Sequence, residues 1–291
     1  MSRTVLVTGT SSGLGRTTAF ALAARGHTVV ATLRDPDGRD RAAAAELTAA
    51  PGPGRVVVVG LDVRSDTSVA DGVGAALQRV GHLDAVVNNA AYALTGVGES
   101  VTSAQLQDLL DTNVVGPQRV VRAVLPHLRA RRGGLLVFLS SGAGRLALPA
   151  MGAYSASKFA VEALAQAYRY ELRPLGIDVS IVQPGAFPTN LAASQVQGAD
   201  TAVLPDYGAA LDMAQAVVRG IGSAFTAPQP PDPREVADAI AELVEAPAGQ
   251  RPERLSVDRF RLGEAVEAVN AGTKEPTDRL LADLGLQAAL A

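Results

Sequence analysis

The sequence predicts an α/β protein built on a doubly wound parallel sheet with helices on both faces. Short apolar runs alternate with helix-like stretches almost to the end of the chain, a repeated β-α-β order that demands right-handed crossovers. The runs lack period-two alternation, as strands covered on both faces should. The composition is 47% hydrophobic but only 4% aromatic, which leaves the core to Ala, Val and Leu. Such small side chains suit a buried sheet under closely packed helices.

In chain order the strand runs are Val5–Val7, Thr28–Leu33, Val56–Val59, Ala85–Val87, Leu135–Leu139 and Val179–Val182. Helical patterns fall at 13–25, 39–49, 65–80, 103–131 and 152–174. No break in composition marks a second domain, so residues 1–291 read as one. From about Ala186 to Pro231 the pattern loosens and Pro and Gly increase, which predicts a substrate loop or lid over 186–231 with room for a short helix. Asp232-Pro233-Arg234-Glu235 then restarts a helix, with Asp as cap, Pro in the first turn and Glu three residues after the cap. Residues 258–291 read as a C-terminal helical extension.

The composition also excludes functions. A formal net charge of -3, without a basic stripe on any predicted helix, argues against nucleic-acid binding. The densest basic run, Arg129, Arg131 and Arg132, reads as the solvated end of a helix. There is no cysteine, hence no disulfide, thiol nucleophile or cysteine zinc ligand. His27, His82 and His127 are scattered without metal-ligand spacing, so no metal is expected. The first strand begins at once, without a leader pattern, and no apolar run approaches the roughly 18 residues of a membrane span. A cytoplasmic protein is the expectation.

Thr8-Gly9-Thr10-Ser11-Ser12-Gly13-Leu14-Gly15 joins the first strand to the first helix. Glycines there let the chain turn sharply and let a pyrophosphate approach main-chain N–H groups at a helix N-terminus, as in a Rossmann-type fold. The same stretch fits the G-x-S-x-G elbow of a hydrolase. That reading needs an earlier strand and a late histidine, and nothing after His127 is histidine. The second strand ends in Ala31-Thr32-Leu33-Arg34-Asp35. Leu33 stands where a carboxylate would accept from a ribose 2′-OH, and the Arg34 guanidinium suits a 2′-phosphate, with Ser11 and Ser12 as added hydroxyl donors. NADP is favoured over NAD; the alternative is that Arg34 only faces solvent and Asp35 takes the ribose.

Tyr154 and Lys158 are four apart on a predicted helix, which puts phenol and ammonium on one face. A free phenol has a pKa near 10, so proton transfer near neutrality needs a neighbouring positive charge. The chain has five tyrosines and two lysines, Lys158 and Lys274, so this spacing arises by chance roughly 3% of the time. Ser140 and Ser141 end the fifth strand run, at the carboxyl edge where open sheets bind ligands. Ser141 is expected to hold a substrate oxygen; Ser140 in that role, or both as strand-end caps, is the alternative. Asn88-Asn89-Ala90-Ala91 closes the fourth strand and lines the cofactor. Asn113 lies inside the long helical stretch 103–131, where an asparagine is usually exposed or bonded to its own backbone; here it is expected to hold a water that relays protons to Lys158.

Taken together these residues resemble the short-chain dehydrogenase/reductase family in its single-domain branch. The collinear matches are T-G-x-x-x-G-x-G at 8–15, Asp62, Asn88-Asn89-Ala90, Asn113, Ser141, Tyr154-x-x-x-Lys158 and Pro184-Gly185-x-x-x-Thr189. They cover about residues 4–190. The resemblance implies a seven-stranded sheet in order 3-2-1-4-5-6-7. It implies proton transfer by Tyr154, orientation by Ser141, ribose contacts from Lys158 and a water relay at Asn113. It also implies adenine contacts from Asp62 and Val63, cofactor contacts from Asn89, Ala90, Ala91, Pro184, Gly185 and Phe187, and a carboxamide contact from Thr189. The second-strand ending looks like that of NADP-using 17β-hydroxysteroid and retinol dehydrogenase-like members, which handle lipophilic alcohols and ketones. One departure is Ala91, where the family usually has Gly; a local backbone adjustment is expected there.

Two other functions compete: a cofactor-binding regulatory protein without turnover, and an epimerase, dehydratase or lyase on the same fold. The intact Tyr154, Lys158, Ser141 and Asn113 favour the oxidoreductase. Phe187, Leu191, Val203 and Leu204 make the variable loop apolar, with Tyr92 and Leu148 as further pocket residues, so a lipophilic ligand is expected. Helices 103–131 and 152–174 resemble those that pair subunits in the family, which implies a homodimer or homotetramer.

Overall fold

Apolar runs four to eight residues long become strands because their side chains find helices on either side. The computed structural model describes residues 1–189, 195–226, 228–258 and 261–286. Strands β1 (Thr4–Val7), β2 (Thr28–Leu33), β3 (Arg55–Gly60) and β4 (Ala85–Asn88) lie in the first half of the chain. A two-residue β5 (Leu94–Thr95), β6 (Gly134–Leu139), β7 (Ile177–Pro184), a two-residue β8 (Val196–Gln197) and β9 (Arg254–Val257) follow. Helices α1 (Gly13–Ala24), α2 (Arg41–Thr48), α3 (Asp66–Val80), α4 (Ser103–Leu110), α5 (Gly116–Arg131) and α6 (Gly152–Leu172) alternate with them. The last three helices are α7 (Gly208–Ala224), α8 (Pro233–Glu245) and α9 (Arg261–Asp283).

Seven strands form one parallel sheet in the order β3-β2-β1-β4-β6-β7-β9. Counting only the strands of that sheet, this is the expected 3-2-1-4-5-6-7. Alternate residues of each strand feed opposite cores: Val5 and Val7 pack with α1 and α8, and Leu6 between them packs with α3 and α5. Phe138 and Tyr168 stack on the second face with ring centroids 6.2 Å apart. Ends are set by local chemistry. Asp232 and Glu235 form the expected capping box of α8, and Thr102 and Gln105 form another at α4.

The helical stretch 103–131 is not one regular helix. Between α4 and α5 the chain widens into a π-helical turn over Asp111–Val115. Pro117 has no N–H to return to the carbonyl of Asn113 four residues earlier, a physical reason for the ladder to slip there. The loop 186–231 holds the 17-residue α7, longer than expected. Its stem, β8, pairs with β5 in a separate parallel ladder, which the sequence did not suggest. No helix among the described residues is long and apolar enough to cross a membrane.

Candidate active site

The switch from β2-β1 to β4-β6 opens a crevice at the carboxyl edge of the sheet, where open α/β sheets bind ligands. At its floor the chain turns from β1 into α1. Gly9 and Gly13 have φ of +69° and +56°, where a side chain is strained. Gly15 packs so closely under Asn89 and the Gly9 carbonyl that no Cβ fits. The Thr8 hydroxyl accepts the N–H groups of Asn89 and Ala90, each at 3.0 Å. The Asn89 amide donates to the carbonyls of Thr8 (2.8 Å) and Gly9 (3.1 Å), so the ends of β1 and β4 are tied together. Ser12 caps α1 in an extended conformation and makes no side-chain cap bond. The hydroxyl and the first-turn N–H groups of the helix therefore suit a phosphate.

The second-strand ending divides its residues. Leu33 and Arg34 border the crevice, whereas the Asp35 carboxylate accepts the N–H groups of Gly38 and Arg39, each at 3.0 Å. Those two bonds occupy Asp35 in its own turn and away from the cavity. Opposite, Asp62 and Val63 border the same space; one Asp62 oxygen accepts the Arg64 N–H at 3.0 Å. Ala91 does not take a positive φ, so its methyl sits on an ordinary backbone.

Lys158, Tyr154 and Ser141 meet on the far wall. Burial pushes the Tyr154 phenol up to about 12, opposed by a hydrogen bond with Ser141. Burial brings the Lys158 ammonium down to about 8, opposed by Glu162. Lys158 Nζ donates to the Leu139 carbonyl at 2.8 Å and lies 5.7 Å from the Tyr154 ring centroid. For the side chains present, desolvation dominates at the phenol, and the Nζ bond goes to the end of β6. The two serines also separate. Ser140 donates to buried Glu162 at 2.9 Å, while Ser141 accepts the Ala143 N–H at 3.1 Å, caps the following turn and remains beside the phenol.

Asn113 is buried, not exposed as a mid-helix asparagine usually is. Its Oδ1 accepts the Tyr92 N–H at 3.0 Å, and its Nδ2 donates to the Tyr92 carbonyl at 2.9 Å and to Ser157 Oγ at 3.0 Å. Ser157 in turn donates to the Tyr154 carbonyl at 2.7 Å. The side chain therefore braces the π turn against the helix that carries Tyr154, and Asn113 does not border the cavity. Ser157 was missed from sequence, although it lies three residues after Tyr154, near enough to share its face of the helix.

Most other expected site residues border one cavity of about 930 Å³, Asn88 not among them: the turn Gly9, Ser11–Gly15, then Leu33, Arg34, Asp62, Val63, Asn89–Tyr92, Ser141, Leu148, Tyr154, Lys158, Pro184, Gly185, Phe187 and Thr189. Leu191 lies outside the described residues, and Val203 and Leu204 do not border the cavity. Sequence reasoning missed Leu146, Met151, Val218, Ile221, Phe225 and Leu262, which also line the cavity. They come from distant segments, and no local signal joins them. Among the described residues the charged side chains at the cavity are Arg34, Asp62, Arg64 and Lys158. The glycine turn, the open helix end and Arg34 fit a phosphorylated dinucleotide.

Residues 3–200 match the family model described as short chain dehydrogenase. The chain is 36% identical over 185 residues to 3-ketodihydrosphingosine reductase of Bacteroides thetaiotaomicron, covering 64% of each. It is 36% identical over 207 residues to retinol dehydrogenase 8 of Bos taurus, covering 70% of this chain and 65% of that one. The chain thus spans just under two thirds of the length of these curated relatives. The crystal structure of a short-chain dehydrogenase from Streptomyces avermitilis, 33% identical, superposes with a TM-score of 0.75 over 97% of this chain and 95% of that one. Two solved structures at 25% identity are complexes with NAD and with NADP.

Proposed function

The chain belongs to the short-chain dehydrogenase family, and from that premise we propose that it is an NADP-dependent oxidoreductase of a lipophilic alcohol or ketone. The observation that carries this reading is the meeting of Tyr154, Ser141 and Lys158 on the wall of a cavity that begins at the glycine turn. When bound along the glycine turn, Arg34 and Lys158, NADP would supply or accept the hydride.

Each residue then has a defined task. Ser141 donates to the carbonyl oxygen and Tyr154 passes the proton to it as reduction proceeds; in oxidation the same phenol takes it back. Lys158 holds the ribose and, as an ammonium, favours the phenolate that remains. Asn113 acts through Ser157 on the backbone of the helix that carries Tyr154. Arg34 meets the 2′-phosphate, supported by the commitment of Asp35 to its own turn. A lipophilic substrate is supported by Leu146, Leu148, Met151, Val218, Ile221 and Phe225 in the lining of the same cavity. We take the chain as one cytoplasmic domain, assembled as a homo-oligomer, with 186–231 as its substrate loop.

Purified protein mixed with NADPH and a panel of aliphatic, sphingoid-like, retinoid and steroid ketones should consume nicotinamide absorbance with at least one of them. No consumption across the panel, with NADPH bound, would favour a cofactor-binding protein without turnover.

A further inference from the structure

A buried carboxylate stands behind this site without a part in the chemistry just described. Glu162, one turn beyond Lys158 on α6, is 2% exposed. Its Oε1 accepts the Ser140 hydroxyl at 2.9 Å and the Gln183 amide at 2.6 Å, and its Oε2 accepts Arg254 Nε at 3.1 Å. Burying a carboxylate is unfavourable unless its lone pairs are met. Here the end of β6, β7 and β9 each send a donor.

The turn that carries Ser141 rests on this group. A Cβ on Gly144 would stand 2.5 Å from Ser140 Oγ, 3.0 Å from Glu162 Oε1 and 3.3 Å from the Lys158 carbonyl. Turn and helix therefore touch at the carboxylate, with no space for a side chain between them. The network continues outward to α9. Gln183 Oε1 accepts the Asn270 amide at 2.8 Å, and Arg145, 4.0 Å from Glu162, donates to Thr273 at 2.7 Å. Helix α9 lies beyond the residues that match the family model.

We propose that Glu162 is a positioning residue for hydride transfer, fixing the Ser141 turn against the helix that carries Tyr154 and Lys158, and that α9 holds it there through Gln183 and Asn270. The proposal rests on the oxidoreductase reading. Glu162 reaches the substrate only through Ser140 and the turn; its charge also favours the protonated form of Lys158. The groups that face it are Arg145 from the turn and Arg254 from β9, with Glu253 on the far side of Arg254. Lys158 and Tyr154 share its helix.

Kinetics with NADPH and the best ketone of the panel test this in Glu162→Gln, Glu162→Asp and Asn270→Ala. In Glu162→Gln, kcat should fall about tenfold or more, with the KM for NADPH within about twofold. The alkaline limb of its kcat profile should move to lower pH, because Lys158 has lost the carboxylate that favours its proton. Glu162→Asp should recover part of kcat. Asn270→Ala should lower kcat about threefold while the Tm holds within a few degrees. A wild-type kcat and pH profile in Glu162→Gln overturns the proposal, as does a loss confined to Tm with Asn270→Ala silent. If Glu162→Gln fails to fold, Asn270→Ala decides alone. If the wild type reduces no ketone, the oxidoreductase reading fails and Glu162 is judged separately by NMR of ¹³C-labelled lysine, since the chain has only Lys158 and Lys274. Titration of Lys158 at lower pH in Glu162→Gln supports the coupling, and an unchanged titration overturns it.

Discussion

Lys158 is held in a place that works against its charge. Its folded value of about 8 lies below the ordinary 10.5 because burial penalises the ammonium. Between those values the unfolded chain binds more protons than the folded one, so this group makes stability rise as pH rises from about 8 to 10.5, and its penalty is complete below 8. Urea melts of Lys158→Met and the parent should therefore show a gap that changes by about 3 kcal/mol in favour of the parent across that window. A gap independent of pH would mean that the ammonium is not desolvated. At the other end of the cavity, Arg34→Asp should lower the NADP over NAD preference by about tenfold or more in kcat/KM. An unchanged ratio would remove Arg34 from the 2′-phosphate. These residues were legible because each is an unusual choice: a lysine in a chain with one other lysine and otherwise arginine, and Leu33-Arg34 where a carboxylate would serve NAD. The phenol value was not legible, since burial is a property of the assembled fold.

At the scale of elements, the Asn113–Ser157 bridge shows how a defect in one helix orders another. The π turn at Asp111–Val115 lets a buried amide clamp both backbone groups of Tyr92 and reach Ser157 on α6. Asn113→Ala strands the Tyr92 N–H and carbonyl, which should lower stability by about 2–4 kcal/mol, read by urea melts. Ser157→Ala removes the link to α6 and the bond to the Tyr154 carbonyl while leaving the Tyr92 clamp in place. It should lower kcat about threefold to tenfold with a smaller change in stability; equal losses of both would make the bridge purely structural. Strands with an unbroken apolar run were readable, because two covered faces leave no polar alternation to confuse them. Strand β9, Arg254–Val257, was not: it is a four-residue edge strand, half-buried throughout, whose arginine serves the buried Glu162. The π turn was hidden because Pro117 follows a pattern that is otherwise helical.

For the whole molecule, the cavity joins the glycine turn of the first βα unit to α7 and α9 near the end of the chain. A dinucleotide that binds the folded form alone should stabilise it by about 2.7 kcal/mol at a concentration 100 times its Kd, a rise of about 4 °C in Tm for a chain of this length. NADP should give that rise at lower concentration than NAD, and equal shifts would contradict the assignment to Arg34. The wound parallel sheet could be read from alternation and its strand order was implied by the family resemblance, but the apolar cavity lining could not be read, because its side chains come from segments far apart in sequence. The central claim, hydride transfer with Tyr154 as proton donor, is tested most directly with NADPH deuterated at C4, each face in turn. With a ketone from the panel, the wild type should yield alcohol one mass unit heavier from one labelled face only, and Tyr154→Phe should bind NADPH normally yet lose about a thousandfold or more in rate. Alcohol without deuterium from either face, or Tyr154→Phe at wild-type rate, would contradict the account.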